Sequence, residues 1–287
     1  MQIESEGEHD SGPPRDQYLS ADRVLAELGD HGAQRVAGLT AVQILVLGAL
    51  AGGFITMGAV FSLLLGTGVE SEGPKRLLEG LGFSTGFLFV ILSSAVLFTE
   101  ANVTMPSTLV ACSSPVRQVA RFWALALLGN AIGSALIAGL VALAQDFSPG
   151  FRELLDEVLA SKLTWREEGG AGSWLRIVVS GMLANWLVGK AAFFATMGRT
   201  IIGKYIPVFL AVTLFVAANF QHSPANMAYF SLAQWLDQGP GWGVALAWNI
   251  IPAGIGNLVG GSLLVVLPLW YGLKLRAPSP SVADDSH

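Results

Sequence analysis

The chain has 287 residues, of which 52% are hydrophobic and 13% are charged, and its mean hydropathy is +0.56 with a formal net charge of −5. This composition is too apolar for a soluble globular domain and indicates an integral membrane protein. Nothing in the charge balance implies a nucleic-acid partner, and the single cysteine excludes an internal disulfide or a cysteine-based metal site within one chain.

The first 38 residues are polar and begin with acidic residues, unlike the basic front of a signal peptide. Within them, segment 20–38 has Ser20 as a candidate N-cap and apolar residues roughly along one side. Two interpretations stay open for this segment. It could be an interfacial helix that leads into the first span, or a disordered leader. We assign residues 1–38 to an N-terminal tail, partly an amphipathic helix.

Six later segments are long and apolar enough to cross a bilayer, which needs about 20 mainly apolar residues. They lie near 40–65, 82–112, 119–144, 174–198, 205–235 and 242–273. The sequence therefore predicts an all-α membrane protein, with a transmembrane domain of six helices over 39–275 and a C-terminal tail over 276–287. An even number of spans places both termini on the same side.

The orientation follows from the Lys and Arg residues near the span ends. The Lys and Arg residues that would lie on one side of the membrane have few acidic neighbours. Those in the loops on the opposite side are accompanied by many Asp and Glu residues. The residues on the first side are Arg15, Arg23, Arg35, Arg117, Arg121, Arg199, Lys204, Lys274 and Arg276. Both termini are therefore predicted to be cytoplasmic, in a multi-pass protein of the inner (plasma) membrane.

Spans 3 and 6 share a Gly-Asn-x-x-Gly unit, Gly129–Gly133 in one and Gly256–Gly260 in the other. Spans 2 and 5 are both interrupted, at 98–102 followed by Pro106 and at 219–224. These matching positions indicate two halves of three spans each. Because three is an odd number, the second half must be inverted in the bilayer, which is a plan found in transporters and channels.

A backbone that leaves the helix inside a bilayer survives only where protein or a water-filled cavity satisfies its polar groups. The two interruptions therefore predict a cavity, and the positive ends of half-helices favour anions there. His222 lies at one interruption and Thr99 at the other. An ionisable residue within a span is a candidate for function, so we select His222.

Several motifs together resemble the formate/nitrite transporter family over about residues 38–275. They are Phe98-Thr99, 184–188 (Ala-Asn-Trp-Leu-Val), 220–227 (Phe-Gln-His-Ser-Pro-Ala-Asn-Met), 249–252 (Asn-Ile-Ile-Pro) and 256–261 (Gly-Asn-Leu-Val-Gly-Gly). The resemblance implies a homopentamer in which each protomer has an aquaporin-like pore for formate, nitrite, hydrosulfide or similar small anions. Small residues such as Gly52, Gly53 and Gly58 would permit close helix contact.

By the same resemblance, His222 is the central pore histidine and Thr99 is its hydrogen-bonding partner on the loop of span 2. Asn226 and Asn257 are expected to support that centre. The family's apolar constrictions correspond to Phe83, Phe87, Phe98 and Phe215. A narrow apolar gate rejects hydrated ions because they must lose water to pass.

Three residues depart from the family pattern: Glu100 after Thr99, Gln221 before the histidine, and Lys190 in span 4. A buried Glu100–Lys190 ion pair would leave the pore locally near neutral. Alternatively, Lys190 faces the cavity and attracts anions while Glu100 lies at its mouth, or Lys190 extends to the membrane interface. All three residues are kept as candidate pore residues.

The leading functional hypothesis is a channel or proton-coupled transporter for small monovalent anions or their conjugate acids, in contact with membrane lipids. A pore for water, ammonia or other small neutral solutes is an alternative, and a non-conducting scaffold or sensor is another. The sequence shows no metal-binding cluster, no nucleophile with its base and no phosphate loop, so neither an enzyme nor a cofactor is implied.

Overall fold

The computed structural model describes residues 18–111 and 113–274, and this part of the chain is built from helices. The predicted C-terminal tail, the first 17 residues and Cys112 lie outside the described residues. The helices are α1 (Ala21–Gly38), α2 (Ala41–Gly66), α3 (Glu72–Ser93), α4 (Phe98–Val110), α5 (Val116–Ala144), α6 (Pro149–Lys162), α7 (Gly170–Met197), α8 (Ile201–Ala217), α9 (Ser223–Trp235) and α10 (Trp242–Leu273). The last helix contains π-helical segments at Leu246–Ile250 and Gly260–Val266.

Five of these helices, α2, α3, α5, α7 and α10, are long and apolar enough to cross a bilayer, and α8 is a shorter apolar helix. The sequence predicted these regions, but it placed the start of span 2 at 82, ten residues after α3 begins at Glu72. The first turns of α3 contain charged residues, so an apolar pattern does not indicate where this helix begins. The same apolar pattern missed α6 because this helix is short and acidic along one side.

The first interruption also lies earlier than predicted. Residues 94–97 separate α3 from α4, so Phe98, Thr99 and Glu100 form the first turn of α4 and not a loop. Pro106 lies inside α4. The second interruption, at 218–222, agrees with the predicted position to within one or two residues, and Pro224 is at the start of α9, where its missing N–H costs no hydrogen bond.

Glycines allow the long helices to approach closely within one chain. A Cβ on Gly133 would overlap the backbone carbonyl of Ala49, and a Cβ on Gly260 would overlap that of Met182. These contacts join α2 to α5 and α7 to α10. Gly52, Gly53 and Gly58, which we expected to serve contacts between protomers, instead face Asn130, Ile137 and Phe83 of the same chain, so they do not support that role.

The two Gly-Asn units hold the two half-helices α4 and α9 in the same way. Asn130 Oδ1 accepts the N–H of Phe98 at 2.9 Å, and its Nδ2 donates to the carbonyls of Val96 and Gly48. This side chain is fully buried. One amide thus satisfies the first N–H of α4, a carbonyl of the interruption and a carbonyl of α2.

Asn257 repeats this pattern in the second half of the chain. Its Oδ1 accepts the N–H of Ser223 at 2.8 Å, and its Nδ2 donates to the carbonyls of Gln221 and Gly181, both at 2.9 Å. The partners are again the first residue of a half-helix, the interruption before it and the neighbouring long helix. The internal repeat read from the sequence therefore has a counterpart in matched hydrogen bonds.

Candidate functional site

Each interruption has a residue in the left-handed backbone region at or next to its start, Ser94 with φ 56° and Asn219 with φ 54°. A cation from a neighbouring helix satisfies a carbonyl in each of them. Arg35 Nη2 on α1 donates to the carbonyl of Ser94 at 2.8 Å. Lys162 Nζ at the end of α6 donates to the carbonyl of Phe220 at 3.2 Å. Unpaired carbonyls in an apolar setting are costly, so both contacts stabilise the irregular backbone.

The two half-helices meet at their N-terminal ends, where His222 and Thr99 are in contact. His222 Nε2 lies 2.9 Å from Thr99 Oγ1, and both residues are fully buried. Thr99 is in the first turn of α4, and His222 is the N-cap of α9. The positive ends of two helix dipoles therefore point to the same region, which favours negative charge there.

The hydrogen bonds of His222 assign its protons. Its Nδ1 accepts the backbone N–H of Ala225 at 3.2 Å, so Nδ1 carries no proton in this arrangement. In the neutral ring the proton then lies on Nε2, which donates it to the hydroxyl of Thr99. Charging the ring would require Nδ1 to give up the helix cap. The site thus offers a neutral hydrogen-bond donor.

Aromatic rings line one side of this centre. The ring of Phe215 lies 5.1 Å from the ring of His222 and 5.7 Å from that of Phe83, which it meets edge to face. Phe87, one turn further along α3, and Phe98, at the start of α4, are also buried. The structure thus brings Phe83, Phe215 and His222 into one group, and the rings of Phe87 and Phe98 take no part in these two contacts.

A cavity lies next to each interruption. The first-break cavity has a volume of about 250 Å³, and its lining includes Arg35, Val90, Ser94, Glu100 and Lys204. The second-break cavity has a volume of about 30 Å³, and its lining includes Arg76, Glu79, Phe83, Lys162 and Tyr229. On α3 the segment between Phe83 and Val90, which includes the buried Phe87, separates the linings of the two cavities.

Two of the candidate polar residues, Gln221 and Asn226, form a buried network with Asn249 beside His222. Gln221 Oε1 accepts hydrogen bonds from Asn226 Nδ2 and Asn249 Nδ2 at 2.8 and 2.9 Å. Asn226 Nδ2 also donates to Asn249 Oδ1, and Asn249 Nδ2 donates to the carbonyl of Lys162. The network fixes the end of α6 against the second interruption, and Asn257 holds the same interruption from α10.

Glu100 and Lys190 are not partners in the described structure. Glu100 Oε2 lies 3.5 Å from Arg35 Nη1, with 13% and 11% of the two side chains exposed. Lys190 Nζ lies 5.3 Å above the ring of Phe193 on its own helix. The hypothesis of a Glu100–Lys190 pair is therefore wrong. Glu100 lines the first-break cavity, whereas Lys190 is not part of that lining. Of the alternative in which Lys190 faces the cavity and Glu100 lies at its mouth, only the position of Glu100 next to the cavity agrees.

Four residues of the site were missed as functional candidates: Arg35, Glu79, Lys162 and Asn249. Arg35 and Lys162 were counted only as charges near span ends, and the position of Asn249 was noted only as part of a motif. A signal for the first two exists in the repeat, because each cation precedes the first long helix of its own half. Glu79 offers no comparable signal, since an acid at a span end is ordinarily solvated.

The position of Lys162 affects its protonation. The residue is 7% exposed and belongs to α6, which is not one of the apolar spans. Burial, with the nearby charge of Arg76 acting in the same direction, lowers the pKa of Lys162 to about 7. An anion beside this ammonium group would favour its charged form.

Known proteins resemble this chain in sequence and in fold. Residues 22–271 match the family model "Formate/nitrite transporter". A probable formate transporter of Methanothermobacter thermautotrophicus is 27% identical over 247 residues, covering 80% of this chain and 88% of the relative.

Two solved structures share the fold. An FNT family ion channel superposes with a TM-score of 0.77 at 21% identity, covering 88% of this chain and 99% of the other. A pentameric formate channel with formate bound superposes with a TM-score of 0.68 at 23% identity, covering 82% and 97%. The all-helical fold, the apolar spans and the matched family model agree, and the chain belongs to the formate/nitrite transporter family as a multi-pass membrane protein.

Proposed function

We propose that this protein lets small monovalent anions of the formate and nitrite class, or their conjugate acids, cross the membrane through a pore centred on His222 and Thr99. The observation that carries the proposal is the 2.9 Å contact between these side chains, made where the N-terminal ends of two half-helices meet. A hydrogen-bond donor and two helix dipoles there favour an acceptor with negative charge. Relatives named as formate transporters or channels support the same substrate class.

In this pore Phe83 and Phe215 form the apolar constriction beside His222. An anion that passes them must shed water, and a bare charge in such a place is far more costly than one or two hydrogen bonds can offset. The permeating species is therefore neutral or nearly neutral at this point. His222 replaces part of its hydration by moving its Nε2 hydrogen bond from Thr99 to the substrate.

Lys162 and Arg76 provide positive charge at the second-break cavity, next to Phe83. Charge at the mouth of a pore raises the local concentration of ions of opposite sign. Gln221, Asn226 and Asn257 position the second interruption, whereas Lys190 is placed for a contact with Phe193 and not for either cavity. Phe87 and Phe98 extend the apolar path towards the first-break cavity.

The protein is proposed to assemble as a homopentamer with one pore per protomer, and the pentameric state of the formate channel that shares its fold supports this assembly. It would lie in the inner (plasma) membrane with six spans, in which α3 with α4 and α8 with α9 form the two broken ones. The two halves would be inverted, and the matched bonds of Asn130 and Asn257 support this repeat.

A flux screen in proteoliposomes tests the proposal. Formate, nitrite and hydrosulfide are expected to enter faster than in protein-free vesicles, acetate more slowly than formate, and ammonium no faster than in the control. Uptake of ammonia or water without uptake of any anion would instead identify a pore for neutral solutes. No flux of any solute through correctly assembled protein would favour a scaffold or sensor.

A further inference from the structure

The second-break cavity contains a carboxylate that has no role in the proposed transport path. Glu79 lies on α3, one turn before Phe83, and is only 4% exposed. Its Oε2 is 3.6 Å from Arg76 Nη1, while its Oε1 is buried and has no hydrogen-bond partner among the described residues. A buried carboxylate oxygen with no partner in a cavity lined by two cations is a place where a proton or a polar ligand can bind.

The packing around Glu79 is arranged to accept this side chain. Gly66 at the end of α2 leaves the space, because a Cβ there would lie 2.9 Å from Glu79 Cγ. The charged and titratable groups around Glu79 are Arg76 and Lys75 on α3, Glu157 and Lys162 on α6, and Tyr229 on α9. From α2 the neighbour is Gly66, and from α8 the same cavity is lined by Val216, both uncharged.

The cavity is small enough to select its contents. A single water occupies about 10–15 Å³ on this measure, so about 30 Å³ holds two waters or one anion of three heavy atoms. An ion in this space would lie among Arg76, Lys162 and Glu79, which all line the cavity. Phe83, which meets Phe215 and through it His222, closes the way inwards.

His222 is poorly suited to supply a proton to such an ion. Its Nδ1 is occupied by the N–H of Ala225, and its Nε2 proton is the last one on a neutral ring. Losing that proton would leave an imidazolate, so His222 serves as a hydrogen-bond donor only. The proton that makes the permeating species neutral must come from another group, and it must do so before the apolar constriction.

We propose that Glu79 is the proton donor that converts a bound small carboxylate or nitrite into its neutral acid in the second-break cavity. The inference rests on the proposed transport function. The protonated Glu79 transfers its carboxyl proton to the anion held by Arg76 and Lys162, so that one O–H bond breaks and one forms. The neutral acid passes Phe83 and Phe215, and the Glu79 carboxylate, now paired with Arg76, regains a proton from water at the mouth.

This scheme couples one proton to each anion. It predicts that a variant without the Glu79 carboxyl takes up less formate than the parent, by a factor that depends on pH. The variant Glu79→Gln keeps the size of the side chain but cannot donate a carboxyl proton. At about pH 7 outside, almost no formate is present as formic acid, so formate uptake by Glu79→Gln should be about tenfold or more lower than that of the parent. At about pH 5 the medium supplies more of the neutral acid, and the difference should shrink to less than about threefold.

Proteoliposomes that contain a pH-sensitive dye measure formate uptake and the accompanying proton entry together. The matched control is Glu72→Gln, which removes an acid from the same helix that also faces Arg76, at 3.9 Å, but is 86% exposed. The control should keep the parent's profile. A second neutral variant, Glu79→Met, controls for any hydrogen bond that the side-chain amide of Glu79→Gln could make. The test requires that at least one of the two neutral variants assembles correctly.

Several results would overturn the proposal. They are a parent-like pH profile in the neutral variants, an equal loss at both pH values, or failure of both variants to assemble, which would assign Glu79 to folding. A profile abolished by Lys162→Met but kept by Glu79→Gln would make Lys162 the donor. If the parent protein itself carries no anion, the proposed function fails; if the parent transports and only the Glu79 result is negative, the proposed function stands.

Discussion

At the residue scale, His222 has two tasks that depend on different ring atoms. Nδ1 caps α9, and Nε2 contacts Thr99 on the other half-helix. A replacement can therefore keep one task and lose the other. Asparagine is a good N-cap, whereas phenylalanine provides neither a cap nor a polar group at the constriction.

We expect His222→Asn to retain the fold and a reduced flux of formate, and His222→Phe to lose nearly all flux. The physical reason is that only Asn keeps a donor for the substrate at the point where its water is lost. Flux of the best substrate in proteoliposomes between about pH 5 and 8 measures this. His287→Asn, in the predicted C-terminal tail, serves as the control and should behave as the parent. Parent-like rates in both His222 variants would refute the proposed role.

Lys162 gives a second prediction, on stability. Its pKa is lowered by burial to about 7 in the folded protein, while an unfolded lysine titrates near 10.4. Between these values the unfolded state binds more protons, so the free energy of unfolding rises with pH across this window and falls again as the pH drops towards 7. Lys162 can contribute at most about 3 kcal/mol over two pH units.

Thermal denaturation of the purified protein in detergent, from about pH 7 to 9, measures this slope. Lys162→Met removes the ammonium group, so its melting temperature should rise less over this range than that of the parent. Lys75→Met is the control, because Lys75 makes an exposed ion pair with Glu157 at 2.6 Å. Equal slopes in the parent and in Lys162→Met would contradict the assigned environment.

At the scale of elements, the interruptions show what a sequence pattern can and cannot predict. The Gly-Asn units and the prolines predicted two matched breaks, because an amide that satisfies a half-helix leaves a repeated motif. Hydropathy did not predict the partner of Glu100, since it gives no information on which cation a helix outside the spans brings close. Hydropathy missed Lys162 as well, because α6 resembles an ordinary acidic loop. The only signal for Arg35 and Lys162 is their matching position before the first long helix of each half.

The contact between α1 and the first interruption gives a prediction about the ion pair that Glu100 makes with Arg35, in place of the rejected pair with Lys190. Arg35 holds both Glu100 and the carbonyl of Ser94. In a double-mutant cycle on thermal stability, Arg35→Gln and Glu100→Gln should be coupled by about 1 kcal/mol. The matched cycle of Glu100→Gln with Lys190→Met should be additive within about 0.5 kcal/mol. Coupling in the second cycle and additivity in the first would reverse this assignment.

At the scale of the whole molecule, α1 and the connection between α7 and α8 lie at the same end. Leu19 N donates to the carbonyl of Met197, and Arg35 and Lys204 line one cavity. The opposite end has α6, in which cations alternate with acids and whose Glu157 pairs with Lys75 of α3. The end with less diluted positive charge is expected to stay in the cytoplasm during insertion.

Labelling of intact cells with a membrane-impermeant thiol reagent tests this orientation. In a Cys112→Ser background, Ile202→Cys at the start of α8 should react only after the cells are opened, because it lies at the cytoplasmic end. Glu167→Cys, in the exposed connection between α6 and α7, is the matched control and should react in intact cells. The reverse labelling pattern would invert the topology and would place Lys162, Glu79 and the second-break cavity on the cytoplasmic side. In that case the proposed proton loading would act on anions that leave the cell, because the cavity that binds the charged species would then open to the cytoplasm.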